Sequence, residues 1–155
     1  MALVFSLWWL YFIIPFDKIL KKERERHDLF VFGYGHFFIF AALAGLGSML
    51  NLVTESAATD ATHGTIDNLV TQPYAMGMLM SILSVFLFTL SVLREVMCKK
   101  SSRNILAIIV ALAITASSYF AVAQGVSIAI GIWCSILAPL TMIWLFSLDN
   151  KHWLA

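Results

Sequence analysis

Nine of the ten Lys and Arg residues of this chain crowd into two short segments, and none of the ten falls within any of five long apolar runs. The runs are Ala2–Phe16, Leu29–Val53, Leu69–Leu93, Ile105–Gln124 and Val126–Leu148, and they hold no Asp or Glu either. A backbone placed in hydrocarbon must satisfy its N–H and C=O groups internally, which such continuous runs do as helices. Barrel strands would alternate polar and apolar residues, and these runs do not. Only 12% of the residues are charged and 61% are hydrophobic, against about 25% charged in soluble domains. The expected fold is therefore all-α: a single transmembrane domain over residues 1–155, a polytopic membrane helix bundle with five transmembrane helices and the lipid bilayer as its solvent.

Crossing about 30 Å of hydrocarbon takes about 20 helical residues, which the last four runs supply. The first has fifteen, or about 22 Å of helix, so it needs upright placement or local thinning of the bilayer. It lacks a basic leader and a small-residue cleavage site, and is expected to be retained as a span. Orientation follows from the cations. Lys18, Lys21, Lys22, Arg24 and Arg26 lie in the loop 17–28, Arg94, Lys99, Lys100 and Arg103 in the loop 94–104, and Lys151 in the tail. Segments 54–68 and 124–125 carry none. The positive-inside rule then places the N-terminus outside and both charged loops and the C-terminus in the cytoplasm. Acids among the basic residues hold the net charge to +1, so the loops form no strong patch for anionic lipid.

Pro15 ends the first run and Pro73 falls in the opening turn of the third, where a missing N–H costs little. Pro139 lies well inside the fifth and should kink it by freeing a carbonyl one turn earlier, as a packing feature or a hinge. Gln124 and Gly125 leave almost no linker, so the fourth and fifth spans must form a close antiparallel hairpin. Small residues spaced by four offer ridges for helix contact. Candidates are Ala107, Ala111 and Thr115, or Ala113, Ser117 and Ala121; Gly131, Ser135 and Pro139; and Ala41 with Gly45. Cys98 and Cys134 fall in different environments and suggest no disulfide. No metal-ligand spacing or glycosylation sequon occurs, and no cofactor is expected.

Polar residues within the spans are the candidates for function. His36 lies about two turns into the second span, just beyond Tyr34, and Asn51 lies near the far end of the same helix. Fifteen residues apart, His36 and Asn51 are separated by about 22 Å and cannot meet. His36 suits either a hydrogen bond to a neighbouring helix or a proton-handling or ligand role. Asn51, Thr115, Ser117 and Ser118 suit interhelical hydrogen bonds. Trp8, Trp9 and Tyr11 fall near mid-depth of a short span and suit packing, whereas Trp144 and Trp153 suit the interface. In the loop 17–28, Asp17 and Lys21 are spaced for a helical ion pair.

The string LWWLYF (Leu7–Phe12), a charged segment, and then RHDLFVFGYGHFFIFAALAG (Arg26–Gly45) resemble the C-terminal part of the bacterial low temperature requirement A family. Its members are multi-span inner-membrane proteins with a Tyr-x-His motif opening the helix after a WWLYF-like stretch, here Tyr34, Gly35 and His36. The resemblance implies a bacterial inner (plasma) membrane location. Relatives often carry an Asp directly after WWLYF and an acid near the end of the following helix, where this chain has Ile13 and Asn51. The family is also longer, with an N-terminal set of spans, so the resemblance implies a partial unit that works as a homo-oligomer or with a missing membrane partner.

Three classes of function follow. The first is a non-enzymatic membrane protein of this family type, part of a transport or cold/stress-adaptation assembly. The second is a secondary transporter or channel using His36 and Tyr34. The weakest is a membrane-embedded enzyme, because the local acidic and basic grouping Glu23–Asp28 is a solvated charge run. Nucleic-acid binding is not expected, because the few basic residues are mixed with acids and lie against the membrane.

Overall fold

The structure is a computed structural model that describes residues 1–14, 26–61, 72–97 and 102–150. Pro15, the pair Asp17 and Lys21, Lys99, Lys100, Cys98 and Trp153 lie outside the described residues. Among the described residues six helices follow in order: α1 (Ala2–Phe12), α2 (Arg26–Ala61), α3 (Gln72–Met97), α4 (Ser102–Ala123), α5 (Ile128–Ser135) and α6 (Leu137–Asn150). Among the described residues four stretches are long and apolar enough to span a membrane: Phe30–Glu55, Gln72–Val96, Asn104–Ala123 and Ile128–Leu148, the last made of α5 and α6 together. α1 is a fifth, shorter apolar helix. It stops at Phe12, earlier than the run that contains it, and leads into a turn at Ile13. The loop expected at 94–104 is helical at both ends, because α3 continues to Met97 and α4 already begins at Ser102.

Each helix buries one stripe at alternating three- and four-residue spacing, the period of a seam between packed helices. α1 buries Leu3, Leu7, Leu10 and Ile14; α2 buries Ile39, Ala42, Leu46 and Val53. α3 is the centre of the bundle, with 50% of an 18-residue apolar stretch buried against 22% for the equivalent stretch of α2. It packs against α2 on one side and α4 on the other, α4 packs on α5 and α6, and α1 lies along α6. Serine and threonine hydroxyls inside the spans mostly return to their own helix, as Ser6 does to the Leu3 carbonyl and Ser91 to that of Leu87. Such bonds satisfy the hydroxyl in an apolar medium without a partner helix.

Small residues set the closest approaches. Ala107, Ala111 and Thr115 are buried on α4, while Ala113 and Ser117 face outward, which decides between the two candidate ridges. Gly131 and Ser135 on α5 and Pro139 on α6 are also buried. A Cβ at Gly131 would lie 2.5 Å from Val122 Cγ2 and 2.8 Å from Met76 Cε, so any larger residue would force those side chains to shift where α5 meets α3 and α4. On α2 the buried ridge is shifted from expectation: Ala41 faces outward, and Ala42 packs inward beside Gly45, whose Cβ position lies 3.2 Å from Ile82 Cδ1.

The α4–α5 hairpin closes through a glycine turn. Gly125 has φ +93°, its N–H donates to the Val122 carbonyl, and the Val126 N–H donates to that of Ala121. These two bonds are the Schellman arrangement that ends a helix, and the positive φ is why glycine stands there. Farther on, the fifth span is interrupted at Ile136, between α5 and α6. Pro139 has no N–H to offer the Ser135 carbonyl four residues earlier, so the interruption sits one turn before the proline, as the sequence implies.

Candidate functional site

The last turn of α1 presents Tyr11 to α2, where His36 is carried about two turns along the helix. The Tyr11 hydroxyl lies 2.8 Å from His36 Nε2, and His36 Nδ1 lies 2.8 Å from the Phe32 carbonyl oxygen. A carbonyl can only accept, so Nδ1 carries the proton. In the neutral ring Nε2 is then the acceptor, and the Tyr11 hydroxyl donates to it. Aromatic rings surround it: Phe32 stands 4.2 Å from His36 between ring centroids, and Phe40 stands 6.2 Å away. Chemically, this is a half-buried hydrogen bond between two helices, made by side chains that can each donate or accept.

Tyr34 and Asn51 are not brought to this place. Tyr34 is 66% exposed and points outward, its ring stacked on Phe30 at 6.4 Å. Among the described residues His36 pairs with Tyr11, from another helix and 25 positions away. Tyr34 could not serve, because residues two apart on a helix diverge around its axis. Asn51 is exposed near the far end of the spanning stretch Phe30–Glu55, and its side chain makes no hydrogen bond among the described residues. Trp8 and Trp9 are each about half exposed on the outer flank of α1, and Trp144 is exposed midway along α6.

A second polar cluster went unread in the sequence. Arg94 near the end of α3 is 5% exposed, and its guanidinium carbon sits 3.9 Å over the Phe146 ring of α6. Arg94 Nη1 donates to Asn104 Oδ1 at 3.5 Å, and Asn104 Nδ2 donates to Glu95 Oε2 at 3.1 Å and to the Ser91 carbonyl at 3.2 Å. Asn104 is 1% exposed on the first turn of α4, so one amide ties that turn to the last turns of α3. The signal that could have found it is positional. Arg94 and Asn104 flank the short connection almost symmetrically, as paired residues do at the mouth of a helical hairpin. Near mid-bundle the Ser84 and Thr115 hydroxyls add a weaker link at 3.3 Å between the same helices. Among the described residues no group of three His, Cys, Asp or Glu could hold a metal ion.

Comparison with known families matches residues 1–144 to the family described as bacterial low temperature requirement A protein (LtrA). No curated protein and no solved structure matches the chain.

Proposed function

Because the chain belongs to the bacterial low temperature requirement A (LtrA) family, we propose that it serves as a non-enzymatic membrane subunit of a transport or cold/stress-adaptation assembly. In this reading it resides in the bacterial plasma membrane, N-terminus outside and C-terminus in the cytoplasm, and associates laterally with further copies or with another membrane protein. The observation that carries the reading is the outer face of α2. Ala44, Gly47, Ser48 and Asn51 all face outward there. A Cβ at Gly47 would meet nothing within 4 Å, which leaves room for a second helix to approach. An outward amide next to small residues favours helix association in lipid, where polar side chains and close backbone approach supply the attraction.

The test is crosslinking in native membranes from single cysteines placed at Ala44 or Ser48, with Cys98 and Cys134 replaced by serine. Adducts larger than a monomer, weakened by Asn51→Leu, are the expected result. Monomers alone at every position would sink the assembly reading.

Transport by the chain itself is a second reading, favoured by the Tyr11–His36 pair, the titratable link between α1 and α2. Proton or ion flux in proteoliposomes that falls on His36→Ala would support it. Absence of flux, or flux indifferent to that substitution, would remove it.

A further inference from the structure

We propose that the crevice between α3 and α4 binds an ordered water near the middle of the bilayer, which donates one proton to the Ser84 hydroxyl oxygen and the other to that of Thr115. Thr115 lies eleven residues into the stretch Asn104–Ala123 and Ser84 twelve into Gln72–Val96, which sets both near mid-depth. The crevice has a volume of about 220 Å³, several times what one water occupies. Ser81, Ser84, Thr115 and Tyr119 bring hydroxyls to its wall, and Met80 and Leu112 complete it with apolar side chains.

The protons of the pair are the informative part. A hydroxyl has one proton to donate and two lone pairs that accept. Ser84 directs its proton to the Met80 carbonyl at 2.8 Å, and Thr115 directs its own to the Leu112 carbonyl at 2.9 Å. The two oxygens nevertheless stand 3.3 Å apart across the helix boundary. With both protons turned back, lone pairs face lone pairs, and the contact repels unless a donor joins it. Direct donation from one hydroxyl to the other would exchange a bond of 2.8 or 2.9 Å for one of 3.3 Å, beyond the usual range of about 2.5–3.0 Å for O–H···O. Water brings two donors, and a single molecule can lie about 2.8 Å from each of two oxygens at that separation.

The bridging molecule must be small, neutral and able to donate twice. No acid lines the crevice, and an uncompensated cation at mid-depth is costly. A side chain from a second helix is a poor substitute, because Thr115 is only 2% exposed. Tyr119 adds a hydroxyl four residues closer to the Gly125 turn, the end of the span from which water would enter. The bridge joins α3 and α4, the central pair of the bundle, through an exchangeable molecule, and it does not rest on the assembly or the transport reading.

Water-edited solid-state NMR of the full chain in lipid bilayers, with isotopically labelled threonine, measures magnetisation passing from water to each threonine. Thr141 is an internal control: it lies thirteen residues into Ile128–Leu148, is partly buried, and donates to the Ala138 carbonyl of its own helix at 2.9 Å. Thr115 should gain water magnetisation early, and Thr141 should lag behind it. Ser84→Ala, which removes one of the two acceptors, should bring Thr115 down to the Thr141 level. Ala116→Phe, which fills the crevice from an exposed position on its wall, should do the same with both hydroxyls in place. Circular dichroism reports whether each variant keeps its helices, and the exposed Ala116→Phe is the arm least able to disturb folding. Transfer to Thr115 no faster than to Thr141 in the unsubstituted chain would overturn the proposal and leave the two hydroxyls bonded directly. Early transfer that survives either substitution in a folded variant would overturn it too, by placing the water elsewhere.

Discussion

Two hydrogen-bonded side chains differ in how much rests on them. Tyr11→Phe removes one hydrogen bond between α1 and α2 and leaves the ring in place. It should cost about 0.6 kcal/mol and at most about 1.7, the range measured for such bonds inside membranes. Asn104→Ala should cost more, about 3 kcal/mol, because it takes an acceptor from a buried guanidinium and donors from Glu95 and the Ser91 carbonyl in one step. Unfolding of both variants in mixed micelles by added SDS would rank them. A larger loss for Tyr11→Phe would show that the arginine cluster is peripheral to stability. The Tyr11–His36 contact was open in the sequence as one of two roles for His36, but its partner was not legible, since 25 positions and a helix change separate the rings. Arg94 was read as one more cation outside the bilayer. Only the way α3, α4 and α6 converge shows its guanidinium covered by Phe146.

At the level of helices, apolar run length and the absence of charge made the four long spans plain. Their ends were harder, because helices run past the hydrocarbon until chain geometry stops them: α2 extends to Ala61, eight residues beyond Val53. Periodicity could find small-residue ridges but could not choose among them, since the faces of α4 differ little in polarity. The close approach at Gly131 makes a sharper forecast. Gly131→Ala should destabilise by about 1–3 kcal/mol, and Val122→Ala in the same chain should recover part of that by removing the methyl that lies 2.5 Å from the new Cβ. A double-mutant cycle measures the recovery, and strictly additive losses would place the clash elsewhere. Gly125→Ala should cost about 1 kcal/mol through its positive φ alone. Asn at that position should cost less, because its side chain tolerates the left-handed region. Thermal unfolding of the two variants side by side distinguishes backbone strain from lost space.

For the molecule as a whole, charge segregation and the Gly125 turn make a joint forecast about sidedness. A membrane-impermeant maleimide applied to intact cells should label a cysteine placed at Gln124 and leave Cys98 untouched, with Cys134→Ser removing the exposed thiol of α5 as background. Labelling of Cys98 from outside would invert the proposed topology. The bundle closes as a circuit, α2 to α3 to α4 to α6 to α1, with the Tyr11–His36 bond returning α1 to α2. The return at Gln124–Ser127 also bears on how the chain is made. A connection that tight cannot rest on the far side of the bilayer while α5 waits on the near side. Once α4 has turned, the next apolar stretch must already be travelling with it, so α4 and α5 should leave the insertion machinery as one folded pair. A substitution that weakens the turn would then act first during synthesis, as a failure of delivery, before it could show as a loss of stability in the finished protein.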